Sequence, residues 1–447
     1  MSSSSQKKSV CLMGGGVAGL AAAVFLDAHG FSVTLVEKKP ILGGRTYSFK
    51  EKKTTFDVDN GQHLMMGAYH ETLRFLDMVG SGGQILRPSK NKVALYNASG
   101  EVNNFLLSSI RPPLNALLAF WRYKPFLFKD KLGLLKIRKS LKNHDPKKFN
   151  KSTIAQWLID IGQSQKARDE FWEPFTLATL NEPTQTASVH HLLTILQRAF
   201  LGEANDSQFL IPKGSLNQLI VNPARTFLEL RGHKVLTATA AKHLHILDNK
   251  VRELECSDGS KIKADYFISA LTPNHLLKII PAGFIQSLCY FSDIKKLTYS
   301  PITSINLWFD KPLFDDNFIG TTHLITHWLF NKNKIGSFNG PPYHYVAVVS
   351  ASQDWLDKSG AEIKELIVKD INKLFPNKNV KLLHSLVNKE REATIRHIPE
   401  NEIYRPQQIS PFENFYVIGD WTQTYLPATI ESASVSAKIA THHILNS

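Results

Sequence analysis

The chain has 447 residues, 43% of them hydrophobic, and a formal net charge of +14. That length favours two domains with real cores, and no run approaches the roughly 18 consecutive apolar residues needed to cross a bilayer. Three scattered cysteines, Cys11, Cys256 and Cys289, form no Cys-x-x-Cys pair; this excludes a disulfide framework and a cysteine zinc site, and suits a reducing, cytoplasmic compartment.

Met1 to Ser9 reads as a frayed polar tail. Lys7 and Lys8 before an apolar run mimic a secretory signal, but the glycines opening that run argue against one. Val10 to Met13 suits a buried parallel strand, and Val17 to His29 an apolar helix. Between and into them, Gly14, Gly16 and Gly19 fill a Gly-x-Gly-x-x-Gly frame. The first glycine permits the tight turn, the second lets a pyrophosphate approach the backbone, and the third lets helix and strand pack closely. A second strand, Phe31 to Val36, ends at Glu37, eighteen residues past Gly19. A carboxylate there accepts ribose hydroxyls, so the unit reads as a dinucleotide grip with phosphates on the free amides of the helix start.

Next come Gly43-Gly44-Arg45-Thr46, a glycine pair followed by a fixed cation suited to phosphate or ribityl oxygens. Phe56 to Asp59 alternates as a short strand and turns at Asn60-Gly61, delivering Gln62 and His63. A helix is predicted over Tyr69 to Val79. From about Gly83 to Glu203 the character changes to an inserted unit with helices around Trp157, Trp172 and Leu192.

Within that unit, Arg122 to Lys151 holds eleven Lys or Arg against two acids, Asp130 and Asp145. Apolar residues from Leu117 to Leu141 are interleaved with them. Basic and apolar together point to contact with an anionic membrane surface, with a solvated lysine-rich helix over a core as the alternative. On a helical wheel Phe128, Leu132 and Leu135 cluster while Leu134, Ile137 and Leu141 fall nearly opposite. No nucleic-acid module accompanies the run, so nucleic acid is not an expected partner.

A helix is predicted from Pro212-Lys213-Gly214 to Leu230. Strands follow at Val235 to Leu236, His243 to Leu247, Val251 to Cys256 and Ile262 to Ala270. A second insertion runs from about Ala282 to Arg391, with strands at Ile302 to Trp308 and Tyr345 to Ser350. It also holds a helix whose core stripe is Ile363, Leu366, Ile367, Ile371 and Leu374. The chain closes with a strand at Phe415 to Ile418, Gly419-Asp420, and a helix opening at Pro427. The histidine pairs His190-His191 and His442-His443, and His243-x-His245, lack a third ligand at metal spacing, so no metal site is expected.

On GGGVAGLAAA, LVEKKPILGGRTYSF, DNGQHLMMGAYHETLRFL, FWEPFTLATLNEPTQTAS, ADYFISALTP and FYVIGDWTQTYLPATIESASVSAKIA, the chain resembles the squalene-associated FAD-dependent desaturases. These are relatives of phytoene desaturase and the amine oxidases. The resemblance implies an α/β fold: a Rossmann-like FAD-binding domain of the glutathione reductase/amine oxidase type with an inserted α+β substrate domain. The FAD-binding unit would be discontinuous over 1–82, 204–281 and 392–447, and the substrate unit would cover 83–203 and 282–391.

By position, Gly14, Gly16, Ala18, Gly19 and Glu37 would hold the ADP half of FAD, and Ala241 would meet adenine. Gly44, Arg45, Gln62, His63, Gly419 and Asp420 would lie along the pyrophosphate, ribityl chain and ring, with Pro427, Thr429 and Ile430 against the flavin. No cysteine lies in the C-terminal segment, so FAD is expected to be noncovalent. Where the family tends to have glycines, Tyr425, Ser432 and Ala437 stand here.

The implied reaction is reductive loss of an allylic hydroxyl from hydroxysqualene, giving squalene for hopanoid or triterpene synthesis, from an unknown electron donor. It needs a hydride and a general acid at the leaving oxygen, for which Glu173 and His63 are the candidates. The partner expected is thus an apolar isoprenoid, with peripheral contact on the inner face of the cytoplasmic membrane. The rivals are a carotenoid-type desaturase, a non-catalytic prenyl-lipid carrier of the same plan and, last, an amine oxidase.

Overall fold

Strand Ser9–Met13 is the centre of the first layer. Strands Ser32–Val36 and Tyr266–Ser269 flank it, with Lys234–Leu236 and Phe415–Val417 outside them, all five parallel. The computed structural model describes residues 7–108, 110, 112–149, 151–336 and 340–447. The tail expected to run to Ser9 is shorter than read: residues 1–6 lie outside the described residues. Ser9 is already strand, its amide and hydroxyl both donating to Asp265, at 2.7 and 2.8 Å.

Burial explains why the apolar runs form a parallel sheet. Val10 through Met13 and Leu35 through Val36 are buried on both faces, one set against helices and the other against an antiparallel meander. Helix Val17–Asp27, apolar on every side, packs beside the C-terminal helix Ile430–Leu445 and under helix Asn222–Leu230. The stretch Ile262 to Ala270, expected as one strand, is two. Lys261–Ile262 closes the meander with Lys250–Cys256, and Tyr266–Ser269 enters the parallel sheet. The chain changes layers at Asp265, which ties down Ser9.

The helix expected from Pro212 begins later. Pro212 ends a strand, Phe209–Pro212, pairing with Ile85, and a wide π-type turn at Asn217–Val221 leads into helix Asn222–Leu230. Likewise the C-terminal helix starts at Ile430, not Pro427. Thr429 caps it by accepting from the Ser432 amide at 3.2 Å, and the Ala428 amide is taken by His397 Nε2 at 3.0 Å, which keeps Pro427-Ala428 outside the helix.

Both inserted stretches contribute to one seven-stranded sheet. Asn91–Tyr96 and Val102–Leu107 from the first join Phe318–Thr321, Trp328–Asn331, Tyr343–Ser350, Tyr299–Phe309 and Leu382–Ile395 from the second. Strand Leu382–Ile395 continues across the 391/392 boundary read from sequence, paired with Tyr299–Phe309 on both sides of a register shift between Glu390 and Thr394. Helices Leu114–Arg122, Phe128–Asn143, Ile154–Asp160 and Val189–Phe200 cover one face over a cluster rich in Phe105, Phe120, Phe171 and Trp172. Helix Gly360–Leu374 covers the other, with Ile363, Ile367, Ile371 and Leu374 buried as its stripe predicts.

Candidate functional site

Two glycine turns face each other across the C-terminal edge of the parallel sheet. Gly14 has φ +104°, and a Cβ there would lie 2.9 Å from the Ala270 carbonyl oxygen; a Cβ on Gly19 would lie 2.0 Å from that of Gly14. Gly43 and Gly44, at φ +110° and +60°, bring the second turn alongside, Gly16 bridging Gly43 and the Gly43 amide donating to the Gly15 carbonyl at 2.8 Å. Gly16 differs from its neighbours. A Cβ on it would meet only Gly44 Cα, at 3.9 Å, so its lack of a side chain leaves free space rather than relieving a clash.

The helix that starts here, Val17–Asp27, has no side-chain cap and no acid in its first turn. Its first amides, Val17 and Ala18 among them, therefore keep their positive end for an anion. Glu37 is buried beside them: Oε2 accepts the Gly15 amide at 2.8 Å and Oε1 the Lys39 amide at 2.9 Å. Both oxygens retain lone pairs for ribose hydroxyls. Ala241 opens its strand a little further on, but the amides lying along Glu37 to Lys39 are those of Thr239 and Ala238, donating to the Glu37 and Lys39 carbonyls.

Opposite the helix start, Arg45 Nη2 meets Asp420 Oδ1 at 2.5 Å and Nη1 donates to the Ala393 carbonyl at 2.6 Å. Burial works against the Arg45 charge, but Asp420, Glu390 and Tyr299 together raise its pKa. Gly419, at φ +149°, donates its amide to Ser436 Oγ on the C-terminal helix at 2.9 Å. Asn60, which sequence reading used only as a turn, reaches Glu390 Oε2 at 3.2 Å and locks the Gly61-Gln62-His63 turn to strand Leu382–Ile395.

Gln62 is held by Lys332, whose Nζ also meets Asp59, at 3.1 and 3.2 Å. His63 Nδ1 lies 2.9 Å from the Gly61 carbonyl, which only accepts, so the proton sits on Nδ1 and Nε2 is bare. Burial lowers the His63 pKa, with the Gly61 bond opposing. With its proton on Nδ1, the ring presents Nε2 as the atom free to exchange a proton.

Glu173, the other candidate acid, opens helix Glu173–Leu180. Its Oε2 receives the Thr184 amide at 3.0 Å and the Thr184 hydroxyl at 2.5 Å, and thereby ties down the Glu182–Thr184 turn. Both bonds are received, which makes that oxygen an acceptor. Pro427 precedes the C-terminal helix, while Thr429 and Ile430 form its start, and Tyr69 hydrogen-bonds Thr429 from the facing helix His70–Met78 side.

Sequence reading missed the support behind this loop. Arg405 donates to the carbonyls of Asp420, Trp421, Thr422 and Leu426 and to Glu402 Oε2. Glu402 Oε1 takes His191 Nε2 at 2.5 Å, and His397 lies behind, its Nε2 on the Ala428 amide. Burial alone would raise the Glu402 carboxyl, yet His191 and Arg405 hold it well below the usual carboxylate range.

His191, His397 and Glu402 bring ligand atoms within 4.8 Å of one another, a grouping that sequence spacing did not show and that leaves out His190. Both Glu402 oxygens are already engaged, one by a guanidinium that repels a cation. The cluster is therefore built to hold the loop. No sequence motif signals it, because its members come from segments 189–200 and 397–428.

These features define a dinucleotide-binding redox protein of the α/β class. Open backbone at Gly16, uncapped amides, a ribose carboxylate and a cation across the cleft fit the ADP and ribityl parts of FAD. The chain belongs to the flavin-containing amine oxidoreductase family, whose profile matches residues 17–445, and FAD is its cofactor. It is 25% identical to a chloroplastic/chromoplastic 15-cis-phytoene desaturase of Solanum lycopersicum, over 98% of this chain and 77% of that one. It is 23% identical to a zeta-carotene desaturase of Synechocystis sp., over 98% and 97%. An oxidoreductase from Methanosarcina mazei shares the fold at a TM-score of 0.78 and 19% identity, covering 98% of this chain and all of that one. The chain is thus a flavoprotein oxidoreductase of that family.

Proposed function

We propose that this protein carries out FAD-dependent redox chemistry on a long, apolar isoprenoid at the site of His63. The observation that carries the reading is the neighbourhood of that histidine. Leu64 and Met66, which follow it closely in the chain, pack against the large aromatic cluster of the inserted unit, so an apolar interior borders His63 on that side.

Bound FAD supplies a two-electron hydride acceptor or donor. The remaining work falls to the chain: Arg45 and the uncapped helix start would hold the negative phosphates and Glu37 the ribose. Tyr69, bonded to Thr429, would fix the start of the C-terminal helix beside the cofactor. His63 Nε2, on a ring whose pKa burial lowers, would accept a proton from one substrate carbon while the hydride of the adjacent carbon is the two-electron equivalent that oxidised FAD would take. That direction is dehydrogenation of a polyene, and the desaturase relatives support it.

A second reading is reductive dehydroxylation of hydroxysqualene to squalene. It is favoured by the blocks Asn60-Gly61-Gln62-His63 and Phe171-Trp172-Glu173-Pro174 through Leu180-Asn181-Glu182-Pro183. In that case the leaving hydroxyl needs a proton donor, for which Glu173 and His63 are the candidates.

Purified protein separates the two. Oxidised enzyme with a phytoene-type polyene and an artificial electron acceptor, and anaerobic, chemically reduced enzyme with hydroxysqualene, are analysed for product. Turnover of neither rejects isoprenoid redox chemistry. His63→Gln is expected to retain flavin absorbance and to lower kcat by about 10²–10⁴-fold if His63 is the base; unchanged kcat removes it from the reaction.

A further inference from the structure

We propose that helices Leu114–Arg122 and Phe128–Asn143 form the surface by which this protein docks on an anionic lipid bilayer. The second helix has two apolar faces. Leu134, Ile137 and Leu141 are buried in the aromatic cluster of the inserted unit, whereas Phe128, Leu132 and Leu135, on the opposite side, are 68%, 51% and 67% exposed. Trp121 of the first helix, 51% exposed, meets the Phe128 ring edge-on at 6.4 Å and carries the Lys131 ammonium over its own ring at 5.5 Å. Four large apolar side chains thus lie together in water, where they gain nothing, on a face directly opposite the core.

Charge decides what covers them. At helical spacing, Lys129 and Lys136 flank the stripe on one side and Lys131 and Arg138 on the other, with Lys139 continuing it. The helix's acid, Asp130, is turned inward: it is fully buried and accepts from the Leu127 amide and from the amide and hydroxyl of Ser164. The outward face of this helix therefore presents apolar side chains rimmed by cations without a carboxylate of its own. That pattern matches a helix lying in the plane of an anionic membrane, its aromatic and leucine side chains entering the acyl boundary and its lysines meeting headgroup phosphates. No helix among the described residues is long and apolar enough to span a bilayer, so the contact is peripheral.

A role in supply rests on the function proposed above. The inner face of the same helix packs on the cluster that Leu64 and Met66 join beside His63, so docking sets a lipophilic substrate's reservoir against the outer wall of that cluster.

The test is flotation of the FAD-loaded protein with vesicles of phosphatidylglycerol and phosphatidylcholine, and with phosphatidylcholine alone, at low and high salt. Binding is expected to the anionic vesicles only and to weaken with salt. Lys136→Gln should reduce it about fivefold, and Leu132→Gln with Leu135→Gln at least about tenfold, both keeping flavin absorbance. Leu230→Gln, at a residue 83% exposed elsewhere on the chain, should change nothing. Equal binding to both vesicle types, no binding, or a dimer in solution that Leu135→Gln dissociates would overturn the proposal. Vesicle binding requires no substrate. A protein that floats with anionic vesicles yet turns over neither isoprenoid leaves the docking surface standing and removes only the reading of function.

Discussion

The glycines of the first turn do different physical work, and single methyl groups tell them apart. At Gly19 an added Cβ would overlap the Gly14 carbonyl at 2.0 Å, so Gly19→Ala is expected to destabilise the fold by about 1–3 kcal/mol or more. At Gly16 the methyl meets only open space, and the backbone there, at φ −76°, suits any residue. Gly16→Ala is thus expected to leave the thermal midpoint of flavin-free protein nearly unchanged while weakening FAD binding at least about tenfold, near the cost of one lost close contact to a charged group. Flavin retention and thermal unfolding on the same samples check both; equal effects of the two substitutions would refute the distinction. Tyr425, where the family tends to have glycine, sits at φ +60°, so the backbone keeps the left-handed turn although the residue that eases it is gone.

Among elements, the Gly419–Ala428 loop and the helix Phe128–Asn143 each have a role that neighbours impose. The loop is irregular, and Arg405 satisfies four of its carbonyls at once from a buried position. A planar fork can do this; a point charge on a flexible stem cannot. Arg405→Met leaves Glu402 buried and short of a partner, and is expected to cost about 3–5 kcal/mol and release flavin; Arg405→Lys should recover only part. Denaturant unfolding with flavin fluorescence reads both. For the helix, adjacent leucines should part company: Leu134→Ala is expected to cost about 2–5 kcal/mol by leaving a cavity, and Leu135→Ala within about 0.5 kcal/mol of nothing. A large loss at Leu135 would mean that its face is covered within the chain.

Over the whole molecule, buried imidazoles set the acid limit of stability. Burial lowers His144, His190, His191 and His327 to about 4 and His344 to about 3, from an ordinary 6.5. A depressed folded pKa means stability that is complete above the unfolded value and is lost as pH falls from about 6.5 through about 4. Even one such ring removes about 2 kcal/mol between about pH 7.5 and about pH 5. The thermal midpoint is therefore expected to be level above neutrality and to fall on mild acidification; a rise towards pH 5 would contradict the burial of these rings as neutral species.

The nucleotide half of this protein was legible because its constraints are local. A strand, a glycine turn, an uncapped helix and an acid at the end of the next strand lie within about thirty consecutive residues, and each follows from space, dihedral freedom or charge at its own position. The core stripe of Gly360–Leu374 was legible for the same reason. Strand Leu382–Ile395 was not: its half-exposed, charged sequence has no apolar alternation, and it is a strand because Tyr299–Phe309 pairs with it on either side of an irregularity. The Arg405–Glu402–His191 support and the outward face of Phe128–Asn143 also depend on which distant segments meet. The sequence alone determined the glycine turns and the strand–helix–strand unit of a dinucleotide-binding fold. Only the tertiary structure decided which side chains surround the reacting end and which apolar face is left to the outside, because burial and hydrogen-bond partners there come from residues hundreds of positions apart.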